Sequence, residues 1–161
     1  MSFFATMTPE EMNVVAATLS TCGGYAAVGL AAAGSAVGAG LAGSAAIGAW
    51  KRCYLANKPA PATLALFAAA PLSQTIYALI LMLLMKAPET GFNSQLIFHP
   101  VVGIFAGVAF LMSALFQGRA AAAACDAYGE TEKGFSNMIT IVGIVETVAL
   151  FALVFALMMV M

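Results

Sequence analysis

Four long stretches with almost no charge dominate this chain. Residues 12–50, 59–85 and 90–118 contain no Asp, Glu, Lys or Arg, and residues 134–161 contain only Glu146. A helix needs about 20 apolar residues to cross the hydrocarbon core of a bilayer, and each stretch is longer than that. Charged residues make up 8% of the chain and hydrophobic residues 63%, whereas soluble domains are roughly one quarter charged. The pattern predicts an all-α membrane protein with four transmembrane helices.

Capping signals and charges predict where these helices begin and end. Thr8-Pro9-Glu10-Glu11 has the pattern of a capping box, with Thr8 as the N-cap and Pro9 at the first helical position. No basic region precedes it, so a cleaved secretory signal is not expected. The first helix should run from about Pro9 toward Trp50, roughly 60 Å at 1.5 Å per residue. The other three helices are predicted near residues 62–86, 95–127 and 134–160.

The basic residues predict the orientation in the membrane. Cytoplasmic loops carry an excess of Lys and Arg, and only Lys86 lies on the side of the loop between predicted helices two and three. The others lie between helices one and two, or at the end of helix three and in the loop after it: Lys51, Arg52, Lys58, Arg119 and Lys133. Both odd-to-even loops are therefore predicted to be cytoplasmic, with both termini outside. The net charge of −1 gives no support for nucleic-acid binding.

The two halves of the chain resemble each other. Ser35–Trp50 aligns with Ser113–Tyr128, and Gln74-Thr75 then aligns with Glu146-Thr147 when the loop lengths differ by six residues. The chain is thus predicted to contain two duplicated helical hairpins, in which the first has a glutamine where the second has the acid. We place these hairpins at residues 1–86 and 87–161.

Glu146 lies near the middle of the last predicted span. A charged side chain at the bilayer centre costs about 2.5–3.5 kcal/mol on insertion scales, and such residues usually mark ion or proton pathways. We therefore interpret Glu146 as an ion or proton carrier.

Several polar groups are candidates for binding a cation together with Glu146. Ser73, Gln74 and Tyr77 share one face of predicted helix two, and Gln117 is the polar residue of helix three. Pro71 cannot donate a backbone hydrogen bond, and it should loosen the turn around Ala70 and free carbonyl oxygens. A sodium ion needs several oxygen ligands and one carboxylate, which this set supplies.

Two other interpretations of these residues stay open. A proton carrier needs only a carboxyl group in an apolar pocket that keeps it protonated. Alternatively, Gln74 and Gln117 could simply join helices, at about 0.6 kcal/mol per contact. The number of oxygen donors around a single acid favours sodium.

Helix one carries a face of small residues. Gly34 and Gly38 form a GxxxG pair, and Gly40, Ser44 and Gly48 continue at four-residue spacing. Such faces allow close helix contact in lipid. The face could pack inside a monomeric bundle, but its length favours an inner ring made of many copies.

The remaining motifs are weaker. Residues 38–43 match G-x-G-x-x-G, but no strand precedes them and no acid follows about 20 residues later, so nucleotide binding is not expected. Cys22, Cys53 and Cys125 show no C-x-x-C spacing and are interpreted as packing residues. His99 is interpreted as structural. No nucleophile–base pair with catalytic spacing occurs, so the chain by itself is not expected to be an enzyme.

The chain resembles the proteolipid, or rotor-ring, subunit of rotary ATPases. The resemblance covers nearly the whole chain and is specific to the duplicated four-helix kind of V-type and V/A-type enzymes, above all bacterial sodium-transporting members. It rests on the Gly/Ala-rich first helix, the polar loop Asn57-Lys58-Pro59, and three motifs: Pro71–Tyr77, Phe116–Ala122 and Val145–Thr147.

The resemblance implies a site and its partners. Glu146 would be the ion-carrying carboxylate and Gln74, Ser73, Gln117 and the Ala70 carbonyl would complete a Na+ site, with Tyr77 locking the occupied state. Copies of the chain would form a ring in the cell membrane. Glu146 would unload beside an arginine of a stator subunit, and proteins of the central stalk would bind the cytoplasmic loops.

One acid per four helices has an energetic consequence. Such a ring carries half as many ions per turn as one with an acid in each hairpin, so an ATP-driven pump is expected more than a synthase. ATP hydrolysis would belong to other subunits, and no cofactor is expected. Rival hypotheses are a small secondary transporter that couples a substrate to a cation at Glu146, and a purely structural four-span protein.

Overall fold

The computed structural model describes residues 6–85 and 98–161, and this part of the chain is built from helices. The elements in order are α1 (Pro9–Leu55), α2 (Leu64–Ala69), a 3-10 turn (Ala70–Leu72), α3 (Ser73–Leu84), α4 (His99–Thr131) and α5 (Phe135–Val160). Within these described residues, four helical segments are long and apolar enough to cross a membrane: Pro9–Leu55, Leu64–Leu84, His99–Thr131 and Phe135–Val160. The predicted all-α, multi-pass membrane fold is confirmed. Lys86 and the predicted boundary between residues 86 and 87 lie outside the described residues.

The predicted start of α1 is confirmed, but its end is not. The Thr8 hydroxyl accepts a hydrogen bond from the Glu11 backbone N–H at 3.3 Å, and the Thr8 N–H donates to Glu11 Oε2 at 2.7 Å, which completes the capping box. The helix continues to Leu55 instead of ending near Trp50, because no helix-breaking residue occurs before Lys58-Pro59. Its 47 residues span about 70 Å, so it extends beyond a hydrocarbon core of about 30 Å.

Helix α4 also continues past its predicted end. It ends at Thr131, where Glu132 adopts the left-handed conformation with φ 54°. The alanine-rich run after Arg119 favours helix, so Arg119 is not at the end of the helix. It lies about 18 Å along the axis from Thr131 at 1.5 Å per residue, with its guanidinium carbon 5.4 Å from the Phe116 ring centroid.

The second span is interrupted where the proline predicts it. The α-helical hydrogen-bond pattern gives way to a 3-10 turn at Ala70–Leu72, which contains Pro71, and resumes at Ser73. The Ala70 carbonyl accepts a hydrogen bond from the Ser73 hydroxyl at 3.1 Å. The interruption therefore places a backbone oxygen beside a polar side chain in an otherwise apolar segment.

Helices α1 and α4 run parallel and touch through their backbones. An added Cβ at Gly118 would overlap the backbone of Gly38, and an added Cβ at Gly103 would overlap the backbone of Gly23. Glycine allows this approach because it has no side chain, and packing of this kind drives helix association in lipid. The second span packs against α1 and α4, and α5 packs against α4 and α3.

The small-residue face of α1 is only partly covered within the chain. Gly34 and Gly38 pack directly on α4, as the monomeric-bundle interpretation predicts. Gly40, in contrast, has no atom within 4 Å of an added Cβ, and Ser44 is exposed. Part of the predicted face is therefore free of contacts within the described chain.

Candidate ion-binding site

A polar layer lies between two apolar clusters of the helix bundle. One cluster contains Leu81, Phe110 and Leu153, and the other contains Leu64 and Phe67. The layer between them is formed by polar residues of the 3-10 turn, α3, α4 and α5. Because a polar group buried in an apolar interior costs free energy unless it is hydrogen-bonded, the partners of each side chain define what the layer can do.

Glu146 is held through both carboxylate oxygens. The Tyr77 hydroxyl donates a hydrogen bond to Glu146 Oε1 at 2.5 Å, and Gln117 Nε2 donates to Glu146 Oε2 at 3.2 Å. The side chain is half-buried on α5. Hydrogen bonds to a carboxylate are charge-assisted and stronger than neutral ones, so two helices fix the position of the acid.

The two glutamines connect Glu146 to the interrupted helix. Both are fully buried, with 0% of their surface exposed. Gln74 Nε2 donates to Gln117 Oε1 at 2.8 Å, and Gln117 Nε2 also reaches the Val142 carbonyl at 3.2 Å. Ser73 Oγ lies 3.3 Å from Gln74 Oε1. These bonds cross from the second span to α4 and from α4 to α5.

All six predicted site residues therefore meet in one place. The hydrogen bonds form a continuous path through the Ala70 carbonyl, Ser73, Gln74, Gln117, Glu146 and Tyr77. The groups whose oxygen atoms could bind a cation are a carboxylate, two amides, a hydroxyl and the Ala70 backbone carbonyl, which accepts hydrogen bonds from the Ser73 N–H and hydroxyl. Oxygen is the ligand type that hard cations prefer.

Two further groups belong to this layer and were missed by the sequence reasoning. Ser113 accepts a hydrogen bond from Gln74 Nε2 at 3.3 Å and donates to the Val145 carbonyl at 3.1 Å. Its position four residues before Gln117, on the same helix face, was the available signal. The Thr75 hydroxyl donates to Ser35 Oγ at 2.8 Å and joins α3 to α1.

The structure also places the weaker candidates. His99 is buried, and its Nδ1 lies 2.9 Å from the Ser20 hydroxyl, so it has the hydrogen-bonded position expected of a structural histidine. Cys53 and Cys125 are buried free thiols, as predicted for packing residues, but Cys22 is exposed and the prediction is wrong for it. Within residues 6–85 and 98–161, no three His, Cys, Asp or Glu side chains come together as a metal-binding group.

One known protein family matches a segment in the second half of the chain. The ATP synthase C-subunit family matches residues 101–159, a little over one third of the chain. The matched segment contains Ser113, Gln117 and Glu146, which is most of the α4 and α5 part of the polar layer. Comparison with curated proteins gave no match. Together with the four apolar helices, the family match supports a membrane-embedded proteolipid of a rotary ATPase, a subunit that is not itself catalytic.

Proposed function

We propose that this chain is the ion-carrying rotor-ring subunit of a V-type or V/A-type sodium-transporting ATPase, with Glu146 as the carboxylate that binds and releases Na+. The observation that carries the proposal is the convergence of several oxygen donors, from side chains and backbone, on the single acid within the membrane-spanning part of α5. The family match over residues 101–159 supports the same kind of subunit.

Sodium binding requires a modest rearrangement of the amides. Gln117 now presents Nε2 to Glu146 and Oε1 to Gln74. Rotation of this amide would present Oε1 to a cation beside Glu146. Gln74 Oε1, Ser73 Oγ and the Ala70 carbonyl already lie together on the neighbouring helix, so they could complete the ligand shell. Tyr77 can keep its hydrogen bond to the other carboxylate oxygen throughout.

The bound ion would neutralise the acid. A charged carboxylate in contact with lipid is costly, whereas the Na+-loaded site has no net charge and could rotate past the lipid. The ring would unload each ion where Glu146 meets an arginine of a stator subunit. Proteins of the central stalk would attach at the cytoplasmic loops, and ATP hydrolysis would take place on other subunits.

The proposal includes the setting of the subunit. We place it in a bacterial cell membrane, with both odd-to-even loops cytoplasmic and both termini outside. Because one acid serves four helices, each ATP would move fewer ions against a steeper gradient, which favours a pump over a synthase. The ratio of ions moved to ATP hydrolysed tests this, and a ratio typical of one carrier per hairpin would contradict it.

Proton transport by the same kind of ring is the second candidate. The hydrogen bonds around Glu146 connect to one another without a cation, and the Tyr77–Glu146 bond at 2.5 Å would suit a carboxyl group that gains and loses a proton. A proton carrier would use Glu146 and Tyr77, and it would leave Ser73 and the Ala70 carbonyl without a transport role.

A secondary transporter has less support from the described cavities. A groove of about 310 Å³ between α4 and α5 is lined by apolar residues that include Val101, Phe105 and Phe155. A second groove, of about 300 Å³, includes Ser20 and Thr21. Neither groove contains any of the six site residues, so neither places a polar substrate beside Glu146.

Carbodiimide labelling of the purified oligomer tests the proposal. A hydrophobic carbodiimide reacts with a protonated, lipid-accessible carboxyl group, and Glu146→Gln provides the unlabelled control. We expect Na+ to slow labelling of Glu146 at fixed pH, while K+ at the same ionic strength does not. Labelling that depends on pH alone would identify a proton ring, and a chain that never reacts would contradict both forms of the proposal.

A further inference from the structure

Helix α4 presents a row of large apolar side chains that are largely uncovered in the described chain, although the Arg119 guanidinium lies near the ring of Phe116. Phe105 is 72% exposed and Phe116 is 47% exposed, and Val108 and Met112 lie exposed between them. The row faces away from the close contact between α4 and α1. Bulky side chains on a membrane helix can face lipid, so their exposure alone does not identify a partner.

The heights at which α1 and α4 meet along the bundle do indicate a partner. Gly23 contacts the backbone of His99 and of Gly103, and Gly38 contacts Ala114 and Gly118. A residue of α1 therefore lies at the height of the residue 78 positions later in α4, since 23 falls opposite the midpoint of 99 and 103, and 38 opposite the midpoint of 114 and 118. The sequence repeat has the same offset, from Ser35 to Ser113.

The first hairpin is thus related to the second by a rotation with almost no shift along the helix axes. A contact that joins different surfaces produces a ring when its rotation closes and a filament when it does not. A step without rise is the requirement for a closed ring. Repeating the step once more places the α1 of a second copy against α4 of the first.

The repeated step specifies which residues meet. Within the chain, one face of α1 contacts one face of α4. Adding 78 to the residue numbers of that α1 face gives the exposed row of α4, and subtracting 78 from the residue numbers of that α4 face gives a second face of α1. The contact of Gly38 with Ala114 and Gly118 within a chain thus corresponds to a contact of Phe116 with Ala36 and Gly40 of the next copy. The contact of Gly107 with Ala27 and Leu30 within a chain likewise corresponds to a contact of Gly29 of the next copy with Phe105 and Val108.

This second face of α1 is open in the described chain. Neither Gly29 nor Gly40 has any atom within 4 Å of an added Cβ, and Ala36 is exposed. The face is made of residues small enough to accept the large side chains of the α4 row. Close packing of this kind is what stabilises helix contacts in lipid.

We propose that the exposed row of α4 is the docking surface for α1 of the next copy, with Phe116 seated between Ala36 and Gly40, and with Phe105 and Val108 on Gly29. The inference rests on the proposed ring. It adds that the ring contains two kinds of inner contact: glycine on glycine within a chain, and large side chains on small ones between chains.

Cysteine cross-linking with exchanged partners tests this register. In a background with Cys22, Cys53 and Cys125 replaced by Ala, we expect Gly40→Cys with Phe116→Cys, and Gly29→Cys with Phe105→Cys, to form disulfide-linked ladders of chains on oxidation. Disulfides need Cα atoms within about 7 Å. The exchanged pairs, Gly40→Cys with Phe105→Cys and Gly29→Cys with Phe116→Cys, keep the same faces but differ in height by roughly 20 Å and roughly 14 Å at 1.5 Å per residue, so they should form no cross-linked ladders.

A steric variant provides a second measurement. Gly40→Phe should reduce the large oligomer to monomers or small fragments in native gels, because it fills the seat of Phe116. Leu41→Phe adds bulk at the adjacent exposed position and should leave the oligomer intact. Loss of the oligomer in both variants, or in neither, would contradict the proposed interface.

The outcomes separate this inference from the proposed function. A large oligomer whose exchanged pairs cross-link as well as the matched pairs, or whose matched pairs never cross-link, would overturn the interface while leaving the ring and its ion site in place. Sodium protection of Glu146, measured on the same cysteine-free protein, reports on the proposed function independently of any cross-link.

Discussion

The two hairpins differ most at the level of the polar layer. In the first, the helix is interrupted at Pro71 and places a fully buried Gln74 against α4. In the second, α5 runs without interruption from Phe135 to Val160, has Gly143 at the position equivalent to Pro71, and places Glu146 half-buried at the edge of the bundle.

The inner helices differ in the same way. Ser113 and Gln117 of α4 both bond to the layer, whereas the position of α1 equivalent to Gln117 is Ala39. The two hairpins thus place different groups in the layer. The first contributes only neutral oxygen atoms, on an interrupted helix, and the second contributes the acid on a continuous one, so the proposed ion site would occur once per chain.

The largest effect is expected when the two hairpins are made alike at this position. Glu146→Gln should abolish ATP-driven Na+ uptake into vesicles, because no charge remains to bind the ion. The amide oxygen can still accept the hydrogen bond from Tyr77, so the oligomer should keep its size and thermal stability. Uptake at the rate of the unaltered protein would show that Glu146 is not the carrier.

Removal of Gln117, which has no glutamine counterpart in α1, should give the next largest effect. In the proposed site, Gln117→Ala removes the amide oxygen that would bind Na+, together with the bond that Gln117 donates to Glu146 Oε2 and one of the two bonds that Gln74 Nε2 donates to α4. If the lost ligand contributes as much as a hydrogen bond to a charged group, about 1.5–3 kcal/mol, the Na+ concentration needed for half-protection of Glu146 should rise by roughly 10- to 100-fold. Ala39→Ser, at the equivalent position of α1, serves as the matched control and should change it little. Equal effects of the two substitutions would remove the distinction between the hairpins.

A smaller loss is expected from Tyr77→Phe. This variant keeps the ring and removes the hydroxyl that donates to Glu146 Oε1 at 2.5 Å. Loss of one charge-assisted bond should raise the Na+ concentration needed for half-protection of Glu146 by on the order of 10-fold. The free acid should also react faster with carbodiimide in the absence of Na+. Unchanged protection together with an unchanged labelling rate would show that Tyr77 does not stabilise the acid.

The smallest effects are expected at the paired threonines. Thr75 joins α3 to Ser35 of α1, whereas Thr147 bonds to the Ile144 carbonyl of its own helix. Thr75→Val should lower the free energy of unfolding by about 1 kcal/mol, and Thr147→Val should lower it by less, because it joins no second helix. Denaturation in detergent measures both. A larger loss for Thr147→Val would contradict the conclusion that Thr75, and not Thr147, joins two helices.

The sequence was sufficient to predict the helices and much of the site. Apolar stretches and proline act locally, so the four spans and the interruption at Pro71 could be predicted without tertiary information. Spacing along one helix predicted that Ser73, Gln74 and Tyr77 share a face. The ends of α1 and α4 were placed too early, because polar residues such as Arg119 do not stop a helix.

The remaining contacts depend on how the helices pack. Ser113 and Ser35 stand in small, apolar surroundings, where a serine is equally compatible with simple packing. Helix spacing alone placed Ser113 on the face of Gln117, but the partners of both serines depend on the rotation of α1 and α4, which the close approach at Gly38 and Gly118 sets. The open face at Gly29 and Gly40 is likewise a property of the folded pair, since the sequence shows only one continuous small-residue helix.

Direct counting of bound sodium tests the central claim. Equilibrium binding of radioactive Na+ to the purified oligomer, divided by the amount of chain, should give one ion per chain. Glu146→Gln should bind none. One ion per chain that vanishes with Glu146 is the predicted result, and it fits a single site built from both hairpins. Two ions per chain, or binding that survives Glu146→Gln, would contradict it.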